Sequence, residues 1–185
     1  MFISKIFKRT FAIATIVALS VTVSVAQDSP DTPEADPADV ESVDAIMAAV
    51  YDVISGDKGV ERDWDRFRSL FRPDAKLIPN QCRPNTACRP MYMSVEDYVI
   101  NGGAYLEANG FFENEIHRVQ ERFGNIVHLF STYESRRLAD DPEPFARGIN
   151  SFQLMNDGSR WWVVNIFWEQ EGQNNPIPAK YLPAN

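Results

Sequence analysis

The chain has 185 residues, of which 18 are basic and 26 acidic, and its formal net charge is −8 at pH 7. A chain of this size forms one domain with a substantial apolar core. An acidic surface repels phosphate backbones, and we find no basic stripe with interleaved aromatic residues, so the composition argues against nucleic acid as a partner.

The first 26 residues have the features of a signal peptide. A basic start that includes Lys5 and Arg9 precedes an apolar run from Phe11 to about Val25. That run is short for the roughly 30 Å of hydrocarbon in a bilayer. Acidic, proline-rich sequence follows it. We therefore predict cleavage after residue 26, no stable membrane anchor after cleavage, and a periplasmic or secreted protein.

Residues 27–36 contain no large apolar residue and are predicted to be a disordered linker. Helical patterns follow, and their apolar stripes are interpreted as surfaces that face a core. The predicted helices run from Asp36-Pro37 to Gly56, around Trp64, Phe67 and Phe71, and from Ser94 to Gly110. Gly102 and Gly103 lie inside the third helix, which suggests that another backbone packs closely against it.

Cys82 and Cys88 are the two cysteines of the chain. In an oxidising compartment, a pair that closes a short proline-containing loop is predicted to form a disulfide. The two histidines, His117 and His128, lie far from this loop in sequence. No Cys and His group has the spacing of a zinc site, so we expect no metal and no cofactor.

The second half of the chain has the alternation of β-strands. A short strand at 75–78 is followed by four longer ones at 111–121, 126–138, 146–155 and 160–170. Helices followed by an antiparallel meander predict an α+β domain over residues 37–170. Residues 171–185 are polar and proline-rich and are predicted to be a tail.

The alternation also predicts which side chains face inward. One face of the 126–138 strand carries Val127, Leu129, Ser131 and Tyr133. In the last hairpin, a three-residue loop with a left-handed Gly158 separates apolar from polar side chains better than a two-residue turn does. The inward set of that register is Asn150, Phe152, Leu154, Trp162, Val164, Ile166 and Trp168.

Apolar walls with a few converging polar groups are typical of small-molecule sites. The candidate ligand-binding residues are therefore Ser131, Tyr133, Asn150, Phe152, Trp162 and Trp168. For Asn150 two interpretations stay open. Its amide is either a satisfied core group or a group that orients a ligand.

Over about residues 40–170 the chain resembles the nuclear transport factor 2-like superfamily, the cone-shaped group that includes SnoaL-like proteins, ketosteroid isomerase and scytalone dehydratase. The resemblance rests on the helix order, on Phe71-Arg72-Pro73-Asp74-Ala75 and on the segment Gly158 to Val164. It implies a strongly bent antiparallel sheet wrapped around about three helices, with a pocket at the open end and frequent dimerisation through the sheet.

The resemblance to the isomerase is incomplete. Trp168 matches the isomerase's pocket tryptophan, and Asn150 falls near the position of its oxyanion-binding acid. The isomerase's catalytic Asp, however, precedes a proline where this chain has Ile78-Pro79. Steroid isomerisation is therefore not expected. If His117 faces inward, it would join Tyr133 as an acid–base pair. If it faces outward, it is a surface histidine.

Three functional hypotheses follow from these observations. The leading one is an exported domain that binds a small apolar or aromatic molecule. The alternative is a SnoaL-like lyase or isomerase that transfers protons in the same pocket, with His117 and Tyr133 as catalytic candidates. The third, which is compatible with either, is a homodimer formed through the outer sheet face with Phe130, Phe167 and Arg147.

Overall fold

The structure, a computed structural model, describes residues 32–82 and 87–184. The predicted signal peptide lies outside the described residues, as does the linker up to residue 31. The helices are α1 (Pro37–Val40), α2 (Val43–Ile54), α3 (Trp64–Ser69), α4 (Val95–Asp97), a π-helical segment (Tyr98–Gly103), α5 (Ala104–Asn109) and a 3-10 turn (Ala179–Tyr181). The strands are β1 (Phe71–Gln81), β2 (Arg89–Pro90), β3 (Phe112–Phe123), β4 (Ile126–Arg136), β5 (Ala146–Asn156) and β6 (Trp161–Gln170).

The six strands form one sheet in the order β2-β1-β6-β5-β4-β3. The neighbours from β6 to β3 are antiparallel, but β1 runs parallel to β6, so the sheet is mixed rather than wholly antiparallel. The predicted α+β class is confirmed. Helix α2 lies against the inner face of this sheet, where Ile46 and Met47 pack with Leu129 and Phe152 in one apolar core.

The predicted first helix is two helices. Asp36 caps α1, as expected, by accepting a hydrogen bond from the backbone N–H of Ala38 at 2.9 Å. Ser42 then starts a second helix by accepting from the backbone N–H of Ala45 at 3.0 Å. The chain breaks at this second cap because a serine at the N-cap satisfies an N–H that a continuous helix would pair internally.

The helix α3 ends earlier than predicted. Phe71 was expected on a helix face but is the first residue of β1, and its backbone pairs with Val163 of β6. Phe71 is nevertheless buried against Phe67, with ring centroids 4.6 Å apart. The sequence pattern therefore identified a core residue correctly and placed it in the wrong element.

The helix after Ser94 begins with the predicted capping box between Ser94 and Asp97 and continues as a π-helix. The prediction that another backbone lies against Gly102 and Gly103 is wrong. A Cβ at Gly103 would lie 2.6 Å from the indole of Trp64, so it is a side chain that needs the space. The indole nitrogen of Trp64 donates to Glu107 at 2.8 Å, which fixes the ring over this glycine.

The β5–β6 turn is longer than the predicted three-residue loop, because pairing ends at Asn156 opposite Trp161 and leaves residues 157–160 between the strands. Asn150 pairs with Trp168 and Phe152 with Ile166, so these side chains share the inner face as expected. One extra residue then shifts the pairing, and Leu154 lies opposite Val163 while Trp162 lies opposite Met155. Because side chains alternate along a strand, a one-residue bulge moves Trp162 to the other face.

The C-terminal residues cross the outer face of the sheet. The Phe130 and Tyr181 rings lie 5.5 Å apart, and the Thr132 hydroxyl donates to the Tyr181 carbonyl at 2.6 Å. Arg147 forms an ion pair with Glu171 at 2.8 Å. No helix within the described ranges is both long enough and apolar enough to span a membrane.

Candidate functional site

A cavity of about 110 Å³ lies between α2, the π-helical segment and the inner face of the sheet. Seven of its thirteen lining residues are aromatic, and Glu113 is the only charged one among them. The lining consists of Val50, Tyr51, Ile54, Phe67, Leu77, Tyr98, Phe111, Glu113, Tyr133, Asn150, Phe152, Ile166 and Trp168.

Four of the six predicted ligand-binding residues meet at this cavity. They are Tyr133, Asn150, Phe152 and Trp168. Ser131 also lies on the inner face, but it is fully buried and its hydroxyl is bonded to Tyr51 at 2.7 Å and to Glu115. Ser131 therefore supports the wall from behind and does not line the cavity.

Trp162 does not belong to this site, and its predicted inward position is wrong. Its ring packs between two guanidinium groups, with Arg160 3.6 Å and Arg72 4.9 Å from the ring centroid. Its indole nitrogen donates to Asp157 at 2.6 Å. The bulge in β6 is the physical reason for the displacement, since it reverses the alternation between Ile166 and Trp162.

Glu113 is the functional candidate that sequence reasoning missed. It enters the cavity from the start of β3, where its carboxylate accepts hydrogen bonds from Ser135 at 2.9 Å and from the Asn150 amide at 3.2 Å. Burial raises the pKa of Glu113 to about 7, and the hydrogen bonds from Ser135 and Asn150 oppose this rise only in part. A carboxyl group with such a pKa can both bind and release a proton near neutral pH.

A second bulge explains why Glu113 faces the cavity and His117 does not. Glu113 pairs with Ser135 and Glu115 with Tyr133, and continuing that register would place His117 opposite Ser131 on the inner face. An extra residue after Glu115 pairs His117 with Thr132 instead. His117 thus shares the outer face with Thr132, and its proposed acid–base pairing with Tyr133 is ruled out by this geometry.

The sequence did carry a signal for Glu113. Before the bulge in β3, Glu113 pairs with Ser135 and Glu115 pairs with Tyr133. Both glutamates therefore lie on the sheet face that carries Ser131 and Tyr133. A glutamate that pairs with an inward-facing strand position is a candidate for a pocket acid. The signal was ambiguous because the pairing of β3 with β4 depends on where the bulge falls.

Comparison with known proteins gives the fold. No family model and no curated protein sequence matches this chain. Among solved structures, it is similar to a protein with a cystatin-like fold from Nostoc punctiforme, with a TM-score of 0.53 and 10% identity over 71% of this chain and 90% of that one. The beta subunit of benzoate 1,2-dioxygenase from Burkholderia mallei gives a TM-score of 0.50 and 13% identity over 76% and 97% of the two chains. LinA gives a TM-score of 0.52 and 9% identity over 78% of this chain and 93% of LinA.

This chain has the nuclear transport factor 2-like fold. The predicted cone-shaped architecture is thereby confirmed, and at these identities the likeness concerns the fold alone. In this nuclear transport factor 2-like cone, the inner cavity combines one carboxyl group with an aromatic wall. A fold of this kind does not determine a function, which depends on the residues that line the cavity.

Two tyrosine hydroxyls add polar groups to the cavity of the cone. Within residues 32–82 and 87–184, neither the Tyr98 nor the Tyr133 hydroxyl has a hydrogen-bond partner, so both are available to a ligand. Burial raises the pKa of each phenol, and the nearby Glu113 raises it further. Gly148 makes room for Tyr133, because a Cβ at that glycine would lie 2.5 Å from the Tyr133 oxygen.

The Asn150 amide is a satisfied group that holds Glu113. Its nitrogen donates to the Tyr51 hydroxyl at 3.1 Å and to the Glu113 carboxylate at 3.2 Å. With both hydrogens in use, this NH₂ is not free to orient a ligand. Tyr51 in turn bonds Ser131, so a continuous hydrogen-bonded row supports the carboxylate from α2 to β5.

The chemical capacity of the site is that of its side chains. Across the described part of the chain, no group of Cys, His, Asp and Glu residues is arranged to hold a metal ion. What the cavity offers is one titrating carboxyl group, two phenol hydroxyls and an apolar aromatic surface. These groups can bind a small molecule and exchange a proton with it.

Proposed function

We propose that this chain is an exported domain whose cavity binds a small apolar or aromatic molecule. The observation that carries the proposal is the aromatic lining of a cavity of about 110 Å³. For comparison, an apolar cavity of about 150 Å³ is enough to bind benzene. The volume therefore suits a ligand with about one ring.

Titration calorimetry with single-ring probes such as phenol and toluene tests this binding. We expect Trp168→Ala to lower the affinity for the probe at least tenfold, because the substitution removes one wall of the cavity. Phe167→Ala is the matched control, since Phe167 is the adjacent residue on β6, is 43% exposed and points the other way. Failure of every probe to bind, or equal losses in the two variants, would contradict the proposal.

A second candidate function is proton transfer by a lyase or isomerase, and the titrating Glu113 favours it. In such a reaction the Glu113 carboxylate takes a proton from a carbon next to a carbonyl group, and a phenol hydroxyl of Tyr98 or Tyr133 donates a hydrogen bond to the carbonyl oxygen. In an isomerase the proton then returns from Glu113 to another carbon. In a lyase the bond from the neighbouring carbon to a leaving group breaks, and the proton passes from Glu113 to that group. Glu113 replaces His117 in this hypothesis.

Exchange of ring protons in deuterated water tests the second candidate. With 2-cyclohexenone as the probe, proton NMR would show loss of the signal of the protons on the carbon next to the carbonyl group, as deuterium replaces them. We expect Glu113→Gln to slow the exchange at least 100-fold, whereas Glu121→Gln, on the exposed part of the same strand, leaves it unchanged. An exchange rate that is the same in the Glu113 variant and in the parent chain would exclude Glu113 as the base.

The proposed compartment is the periplasm or the exterior of the cell. A disulfide between Cys82 and Cys88, with Cα atoms 4.2 Å apart, supports an oxidising environment. Expression of the full chain in a bacterium, followed by fractionation and mass spectrometry, tests export. We expect the exported form to begin at Gln27 and to resist alkylation of both cysteines until it is reduced. Retention of residues 1–26 on a cytoplasmic, alkylated chain would contradict export.

A further inference from the structure

We propose that the natural ligand of the cavity is a small organic cation, a quaternary ammonium or protonated amine that pairs with Glu113 inside the aromatic wall. This inference rests on the proposed binding of a small molecule in the cavity and assigns a positive charge to that molecule.

Among the residues that line the cavity, none is a cation that could pair with Glu113. Glu113 takes part in no ion pair among residues 32–82 and 87–184, and its two hydrogen-bond donors, Ser135 and Asn150, are neutral. Glu115, two residues further along β3, is paired with Arg118 at 2.7 Å. Even for a half-buried side chain such as Glu113, ionisation without a nearby cation is costly. A cationic ligand would remove that cost at Glu113, as Arg118 does at Glu115.

The aromatic lining is the second observation. Tyr98 packs against Trp168 at 6.5 Å between ring centroids in a T-shaped arrangement and stacks on Phe67 at 5.3 Å. Tyr133 and Phe111 complete an aromatic surface around the carboxyl group. Aromatic faces attract ammonium ions, and cages of aromatic residues are a common way to recognise them. A neutral apolar ligand would use the rings but not the carboxylate.

The size and the overall charge fit the same ligand class. A cavity of about 110 Å³ can hold a compact ammonium head group. The net charge of −8 raises the local concentration of cations at the protein surface.

The pH dependence follows from the titration of Glu113. The phenol groups of Tyr51, Tyr98 and Tyr133 lie near it and stay protonated because burial raises each pKa. On its other side it shares a second pocket with Glu115 and Arg118, which pair with each other, and with Asp44 and Asp52. With the pKa of Glu113 at about 7, about a tenth of the carboxyl groups are ionised at pH 6 and about nine tenths at pH 8. A cation that requires the carboxylate should thus bind about tenfold more tightly at pH 8 than at pH 6.

Calorimetry with choline and with its neutral analogue 3,3-dimethyl-1-butanol tests the inference, because the two differ chiefly in charge. We expect choline to bind at pH 8 at least tenfold more tightly than the alcohol, and to lose about tenfold in affinity at pH 6. Glu113→Gln should lower choline binding to the level of the alcohol. Glu121→Gln, the matched charge change on an exposed site, should not.

The alternative outcomes separate this inference from the proposed function. If the alcohol binds as tightly as choline and is lost in Trp168→Ala, the ligand is neutral, so the cation inference fails and the binding function stands. If neither probe binds but phenol or toluene does, the cation inference fails and the binding function stands; if none of the four binds, both proposals fail. Retained binding of the alcohol by the Glu113 variant shows that its cavity is intact. The pH series on the unaltered chain provides an independent test.

Discussion

Glu113 acquires its properties from three neighbouring elements rather than from its own residue type. Burial beneath α2 and the helix after Ser94 raises its pKa from 4.5 to about 7, and Ser135 and Asn150 hold the carboxyl group toward the cavity. The exposed glutamates of the same strand have no such surroundings. Proton transfer by Glu113 and binding of a cation to Glu113 both depend on this placement. Substitution of Glu113 therefore tests both proposed roles.

The raised pKa of Glu113 predicts how stability depends on pH. The unfolded chain releases this proton near pH 4.5 and the folded chain near pH 7, so the folded state binds more protons between these values. The contribution of Glu113 to the free energy of unfolding is therefore highest below about pH 4.5 and falls by about 3 kcal/mol as the pH rises through 7. Urea unfolding of the parent chain and of Glu113→Gln should show this fall in the parent chain alone. A stability difference that stays constant from pH 4.5 to 8 would contradict the raised pKa.

At the scale of single elements, local irregularities determine what reaches the cavity. The π-helical segment Tyr98–Gly103 starts at a tyrosine that lines the cavity, and π-helical turns are frequent at functional sites. Gly103 allows this segment to lie against Trp64. Whereas the π-helical segment brings Tyr98 to the cavity, the bulges in β3 and β6 turn His117 and Trp162 away from it.

The two adjacent glycines give a matched prediction for this segment. At Gly103 an added Cβ would lie 2.6 Å from the Trp64 ring, whereas at Gly102 it would make an ordinary contact of 3.4 Å with Tyr98. We expect Gly103→Ala to destabilise the protein by about 1–3 kcal/mol, as overpacking does. Gly102→Ala should be neutral or slightly stabilising, since alanine is the better helix former. Chemical denaturation of both variants measures the difference, and equal effects would contradict the packing argument.

At the scale of the whole molecule, the outer sheet face is partly covered by the chain's own C-terminal residues. Of the three residues in the predicted homodimer interface, Phe130 packs on Tyr181 and Arg147 is paired with Glu171, while Phe167 is 43% exposed. Dimerisation through this face stays a prediction. A second copy would have to displace the 3-10 turn Ala179–Tyr181 or pack beside it.

Removal of residues 173–185 tests that prediction. We expect the shortened chain to dimerise more strongly than the full chain, because the deletion uncovers Phe130 while Phe167 remains exposed. Tyr181→Ala should have a smaller effect in the same direction. Sedimentation velocity over a range of concentrations measures the association. Equal association of the full and shortened chains would show that the tail does not limit use of this face.

Much of the architecture could be predicted from the sequence. Alternation in the β4 segment placed Ser131 and Tyr133 on the inner face, and the spacing of apolar residues located the core helix α2. Capping residues located helix starts at Asp36 and Ser94. Local signals suffice for these features because they depend on neighbours within a few residues along the chain.

The membership of the cavity could be predicted only in part. Tyr133, Asn150, Phe152 and Trp168 were placed together correctly, whereas Glu113 was missed. The parallel pairing of β1 with β6 was not predicted either.

The sequence by itself determined the α+β class, the strand segments and their preferred faces, because periodicity and capping are properties of the local chain. The tertiary structure alone decided that Glu113 faces the cavity while His117 and Trp162 do not. The physical reason is that strand register is set by cross-strand packing of the whole sheet, and one extra residue in a strand reverses every side chain beyond it.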